Sequence, residues 1–240
     1  MFLDILIIVV VTSFIQSIFG VGVLLFGTPL LLLQGYDFIH AVIVLLPISI
    51  SINLIQIVKD YRSADLDFYK KILVYTIPFV VIFLLVVTRL NINIGVIIGL
   101  FLLFVAAKDY SLKVNQVIKF LVRYEKIYFT LMGIIHGLTN LGGSLLTAIV
   151  HSKGYEKHIT RTTVALSYAT FATFQILTLL VSGYSADMRL LGNGIYLIPG
   201  LAVFMLTEKL VYTDIKNENY SKYFALFLFL SGMLLCVKSI

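Results

Sequence analysis

Residues 2 to 33 are apolar almost throughout, yet Gln16, Gly20 and Gly22 sit in the middle of the run. The pattern returns between Ile127 and Val150, where "LTNLGGSLL" (138 to 146) sets Asn140, Gly142, Gly143 and Ser144 halfway along. Six further runs, near 40 to 58, 72 to 88, 92 to 107, 162 to 182, 190 to 207 and 223 to 237, are uninterrupted. Continuous runs of this length, without the alternation of barrel strands, predict helices that cross roughly 30 Å of hydrocarbon. Helices also satisfy their own backbone there. The expected fold class is an all-α polytopic membrane protein.

The interrupted and uninterrupted runs recur in one order. "YRSADLDFYKKILVYTIPFVVIF" (61 to 83) answers "YSADMRLLGNGIYLIPGLAVF" (184 to 204): each holds Ser-Ala-Asp and then Tyr-x-Ile-Pro-x-x-x-x-Phe. "QGYD" (34 to 37) answers "KGYE" (153 to 156), Gln56 answers Gln175, and Gln16, Gly20 and Gly22 fall opposite His136, Asn140 and Gly142. This predicts two tandem transmembrane repeats, 1 to 110 and 127 to 240, each with one Gly-broken helix and three ordinary spans. Residues 111 to 126 join them. Val114, Val117, Ile118 and Leu121 share a helical face there, which fits an interfacial helix on the cytoplasmic surface; a solvated linker is the other reading.

Charge placement bears on whether the broken runs cross or fold back. With a single crossing each, the 18 basic residues split about 11 to 7 between the two sides. If each dips in and returns, Lys59, Arg62, Lys70, Lys71, Lys108, Lys113, Lys119, Arg123, Lys126, Lys153, Lys157, Arg161, Lys209, Lys216 and Lys222 share one side, opposite Arg89, Arg189 and Lys238. A split of about 15 to 3 obeys the positive-inside rule far better, and it inverts the second repeat relative to the first.

Composition narrows the chemistry. At 60% hydrophobic and 12% charged, with a mean hydropathy of +1.03, the chain is unfit for water. The net charge of +6 comes from short loops between apolar runs, so the positive-inside rule accounts for it and no nucleic acid is expected. The first run follows Met1 with no basic residue ahead and is far longer than a signal-peptide core, which predicts that it is retained. A single cysteine, Cys236, excludes an internal disulfide and a dithiol relay.

A non-helical break at bilayer depth must be buried in protein or line a wet cavity. Gly20, Gly22, Gly142 and Gly143 permit the turn and the approach of another group to the backbone. Ser144 is placed to cap the half-helix after the second break, and Thr28 lies on the half-helix after the first. Two half-helix N-termini would then point into the molecule, an arrangement that holds a small anion through free N–H groups and the helix dipole. Asn53, Gln56, Thr162, Thr163 and Gln175 are candidate orienting donors, with Gln16, His136 and Asn140 at the breaks. Close helix packing is the competing explanation of the glycines.

The broken segment, "PLLLLQGY" with Pro29, "HA" at His40 and Ala41, and a basic loop ending in Asp67 and Phe68 resemble the sulfite exporter TauE/SafE family over essentially the whole chain. The resemblance implies export of small sulfur-containing anions such as sulfite or sulfoacetate across the plasma membrane. Family members carry a richer Gly-x-Gly-Gly-Gly break, a Pro in each half and an Ala-x-x-Thr-Ser stretch. This chain has Val23, Leu24 and Ala148 at the expected glycines and second proline, and Thr162 and Thr163 near the expected Thr-Ser.

Other chemistry is thinly represented. Ser144 and His136 lack an orienting carboxylate, so no enzyme is expected. The remaining His40, His151 and His158 lack metal-ligand spacing, so neither metal nor cofactor is expected. His136 has two open roles, a proton carrier or a plain hydrogen-bonding group. Arg161 has two as well, an anion attractor at the cytoplasmic mouth or a positive-inside anchor. Pro78 and Pro199 either kink their spans or start them. A channel or transporter for a neutral or cationic solute remains the alternative function. The partners expected are a small anion and lipid, with homo-oligomerisation left open.

Overall fold

A computed structural model describes residues 2–90, 94–107, 111–185, 187, 190–211 and 229–238. Lys108, Arg189, Lys216, Lys222 and the first part of the run expected at 223 to 237 lie outside the described residues. Among the described residues there is no strand. The helices are α1 (Phe2–Phe19), α2 (Val23–Leu33), α3 (Phe38–Asp60), α4 (Leu66–Tyr75), α5 (Ile77–Arg89), α6 (Ile94–Ala107), α7 (Leu112–Arg123), α8 (Glu125–Thr139), α9 (Gly143–Ser152), α10 (Lys157–Val181) and α11 (Leu190–Val211), then α12 (Phe229–Lys238). Among the described residues three stretches, Phe38–Ser63, Leu66–Arg89 and Lys157–Val181, are long and apolar enough to cross a membrane.

The long broken runs fold as hairpins. Gly22 lies against the Thr12 carbonyl and the Gln16 backbone, one to two turns back along α1, so the chain has reversed across residues 20 to 22. In the second break Gly142 lies against Met132 and His136, Tyr128 donates to the Leu145 carbonyl at 2.8 Å, and Lys153 beyond α9 pairs with Glu125 at the start of α8. Both ends of the α8–α9 hairpin therefore lie together. At a rise of about 1.5 Å per residue, α2 and α9 reach only about 15 Å, half a bilayer.

Left-handed backbone makes each reversal. Gly20 has φ +73° and Asn140 has φ +63°, the conformation glycine adopts freely and asparagine tolerates. Gly35 and Gly154, also at positive φ, turn the chain from each half-helix into the long helix that follows.

α3 and α10 form the centre, antiparallel, with Leu45, Ile48, Ile52, Phe171 and Ala172 fully buried. α1 packs on α11 and α5 on α8. Small residues let these backbones close up, as is usual where lipid supplies no hydrophobic drive. A Cβ on Gly133 would meet the Thr76 carbonyl, and one on Gly137 the Val80 carbonyl. Gly99 and Gly232 join α6 to α12 in the same way. Large apolar side chains cover the outer surface, with Leu100, Ile198 and Leu206 all more than half exposed, a surface suited to lipid rather than water.

The structure divides one expected span. The run at 72 to 88 belongs to two helices that meet at Thr76, whose hydroxyl donates to the Phe129 carbonyl of α8 at 3.0 Å. Pro78 sits in the first turn of α5, where its missing N–H is harmless; Pro199 lies inside α11. α7 is helical, and it exposes Lys113 and Phe120 alike.

Candidate functional site

All fourteen residues singled out as candidates are buried, and the hairpin tips bring half of them into two polar chains. The first begins at α2. The Val23 amide donates to Gln16 Oε1 at 2.9 Å, and Gln16 Nε2 donates to Asn53 Oδ1 at 3.3 Å. Asn53 is fixed in turn by donating to the Ser49 carbonyl at 2.8 Å. With its amide oriented to satisfy both ends, Gln56 donates to Asn53 Oδ1 at 3.1 Å and accepts from Nη2 and Nε of Arg161, each 3.3 Å away.

The second chain begins at the other break. Asn140 Nδ2 donates to Thr28 Oγ1 of α2 at 2.9 Å, while Gln175 Nε2 donates to Asn140 Oδ1 at 3.2 Å. Gln175 Oε1 lies 3.2 Å from His136 Nε2, and His136 Nδ1 is buried without a hydrogen-bond partner among the described residues. Asn140 thus ties the second break to α2 and α10 at once. Its left-handed turn and its side-chain bonds use one residue for two tasks.

Helix starts leave their first amides without intrahelical acceptors. In α2, Gln16 takes the Val23 amide, while those of Leu24 and Leu25 have no acceptor among the described residues. In α9 the Ser144 amide reaches the Leu141 carbonyl at 3.2 Å, and the amides of Gly143 and Leu145 have none among the described residues. These N–H groups are what an oxyanion requires.

Three expectations need correction. Ser144 does not cap α9. The cap position is Gly142, and the Ser144 hydroxyl turns back to donate to the Leu141 carbonyl at 3.0 Å, because the helix starts two residues earlier than the serine needs. The space beside the glycines is filled by protein: a Cβ on Gly22 would lie 2.6 Å from the Gln16 nitrogen, on Gly142 2.5 Å from His136 Cβ, and on Gly143 against the Tyr168 ring. Close packing therefore accounts for these three glycines, and Gly20 alone has open room. Thr162 and Thr163 do not join the two chains. Thr162 donates to the His158 carbonyl of its own helix at 3.0 Å, and Thr163 accepts from the Asp65 amide at 3.0 Å.

Charges gather at one end of the bundle. Arg161, 11% exposed, and Lys59 share Glu208, 5% exposed. Lys71 and Lys153 share Glu125. Between them the Tyr155 hydroxyl donates to Asp65. Burial opposes ionisation of Asp65, yet the amides of Phe68 and Asp67, the Tyr155 hydroxyl and nearby Lys153 hold its carboxyl below the ordinary value. Burial and the Asp65 carboxylate push Tyr155 up to about 12. Sequence reading missed Glu208, which lies one residue beyond the expected span and whose partners lie 47 and 149 positions away. No group of three or more potential metal ligands occurs among the described residues.

No curated protein and no solved structure matches this chain. The family model of the sulfite exporter TauE/SafE matches residues 5–235, which takes in both broken hairpins, both polar chains and the charged end. The chain belongs to the sulfite exporter TauE/SafE family.

Proposed function

We propose that the protein is a plasma-membrane secondary transporter that exports a small, sulfur-containing anion, bound by the half-helix amides at the two breaks. One observation carries this reading: two buried helix starts, with amides that have no acceptor among the described residues, lie within one bundle core, joined by the Asn140–Thr28 bond. Each start contributes about 0.3 to 2 kcal/mol toward a nearby negative charge. The neutral amides and hydroxyls around them orient a solute without neutralising it.

The repeats are taken as residues 1 to 110 and 127 to 240, inverted, with 111 to 126 as an interfacial linker. The packing supports this. Under exchange of the halves, α1 on α11 corresponds to α8 on α5, while α3 on α10 and α6 on α12 correspond to themselves. The hairpins open toward opposite ends, because α3 and α10 run antiparallel: the Asp65 amide beyond α3 meets Thr163 near the start of α10. The end holding Lys59, Lys71, Lys153 and Arg161 is then cytoplasmic. Moving one negative charge out of an inside-negative cell gains about 2.3 kcal/mol per 100 mV, so export needs no coupling ion.

Purified protein in liposomes, loaded with sulfite, sulfate, thiosulfate or an organosulfonate under a clamped potential, tests the proposal. Saturable flux that quickens with potential in the direction for a negative charge supports it. Flux of a cation or a neutral solute in place of these anions supports the alternative and defeats it.

A further inference from the structure

Glu208 is a carboxylate held on an arginine that leads directly to the first break. The Arg161 stem lies over Gly20, 3.7 Å from where a Cβ would be. Its guanidinium meets Glu208 on one side and the Gln56 oxygen on the other at 3.3 Å. From Gln56 the polar chain runs through Asn53 and Gln16 to the Val23 amide at the start of α2. Lys59, 48% exposed, faces the same carboxylate from the rim. Two cations against one anion leave this mouth positive.

The arrangement has no counterpart in the other half. At the offset of Gln56 to Gln175 (175 − 56 = 119), Arg161 falls opposite Val42; at that of Pro78 to Pro199 (199 − 78 = 121), Glu208 falls opposite Val87. The hydrogen-bonding glutamines are shared by the halves, but the charges belong to one end alone.

We infer that Arg161 is the anion's entry ligand at the basic mouth and that Glu208 is a tethered carboxylate filling the anion's place until an oxyanion displaces it; this rests on the anion-transport reading above. Arg161 places Nη2 on one Glu208 oxygen and both Nη2 and Nε toward the Gln56 oxygen, and a guanidinium fork of this kind accepts the oxygens of a sulfite or sulfonate group. The anion exchanges with Glu208, and Lys59 retains the released carboxylate at the rim. Arg161, beside Gln56 and Gly20, then delivers the anion to the α2 amides. On return, Glu208 takes back the guanidinium and prevents the anion from lingering.

The test compares wild type, Glu208→Gln and the double variant Arg161→Gln/Glu208→Gln, each as the full chain. The double variant removes both charges together and so leaves neither one buried alone. Sulfite is the probe, read by thermal shift in detergent and by flux into liposomes from the basic face. Glu208→Gln is expected to lower the half-saturating sulfite concentration about fivefold or more and to lower the maximal rate. The double variant is expected to raise that concentration about tenfold or more, in line with the loss of a charge-assisted pair. Sulfite flux with an unchanged half-saturating concentration in both variants overturns the inference and leaves the transport reading standing. Sulfite binding that follows the expected order without any flux upholds Arg161 as a ligand and defeats the transport reading. Absence of both binding and flux in wild type overturns both.

Discussion

Gly22 and Gly20 are two residues apart at one break, yet the structure gives them opposite sensitivities to a single added methyl. Gly22 has φ −178°, extended backbone open to any residue, so its constraint is purely spatial. A Cβ there would lie 2.6 Å from the Gln16 nitrogen, 2.7 Å from the Thr12 carbonyl oxygen and 2.9 Å from Gln16 Cα. All three are helix backbone and cannot rotate away, so the break itself must shift by nearly 1 Å to reach ordinary contact. Overpacking of this kind costs about 1 to 3 kcal/mol. The shift also stretches the 2.9 Å bond from the Val23 amide to Gln16, for about 0.5 to 1.5 kcal/mol more. Gly20, at φ +73° with only Arg161 Cγ nearby, costs an alanine about 1 to 2 kcal/mol of left-handed strain and no clash. Asparagine occupies the matching position at the second break, so Gly20→Asn is expected to be milder still. Chemical denaturation in detergent and sulfite flux should therefore rank wild type, Gly20→Asn, Gly20→Ala and Gly22→Ala in falling order, with Gly22→Ala about 1.5 to 4.5 kcal/mol less stable than wild type. Equal stability of Gly22→Ala and wild type would refute the packing argument.

At the second break, Asn140→Gly keeps the turn but removes the bonds to Thr28 and Gln175, for an expected loss of about 1 to 3 kcal/mol in the same denaturation assay. Asn140→Asp keeps the shape and adds a negative charge. At roughly 5 Å and an effective dielectric of about 20, that opposes a bound anion by about 3 kcal/mol, so sulfite flux should fall roughly a hundredfold. Stability should fall in acid, because Asp65 and Glu125 both titrate below their ordinary values in the folded chain. Their contribution is full above the ordinary carboxylate range and is lost as pH falls through the lowered folded values. Thermal unfolding between pH 7 and 3 should show this, and Asp65→Asn/Glu125→Gln should flatten the decline. For topology, on a Cys236→Ser background, Ser152→Cys should react with an impermeant thiol reagent from the cytoplasm and Ser185→Cys from outside; both residues are exposed.

The sequence was most informative where one residue's chemistry dictates backbone. Gly20 and Asn140 marked both reversals, and the apolar runs marked most helices within a few residues. Asn53, Gln56, His136, Asn140 and Gln175 stood out because neutral polar groups are rare in such runs, and the structure places them in the two polar chains. What escaped depends on distance in the chain. The acceptor for the Val23 amide is Gln16 on the preceding helix, not a local cap. The split at Thr76 reflects a bond to Phe129, 53 positions away. Glu208 reads as an ordinary end-of-helix charge until the fold brings Arg161 and Lys59 to it. The close contacts of Gly22, Gly142 and Gly143 were equally hidden, since a glycine that admits a ligand and one that admits a neighbouring helix look the same in sequence. For the same reason a leucine at any of these three would abolish activity through packing alone.

The most direct measurement is an experimental structure with a strongly scattering anion such as selenite bound. The account predicts density within hydrogen-bond reach of the Leu24 and Leu25 amides, or of Gly143 and Leu145, inside the bundle. Selenite found only among surface lysines, with both half-helix starts unoccupied at saturating concentration, would contradict it.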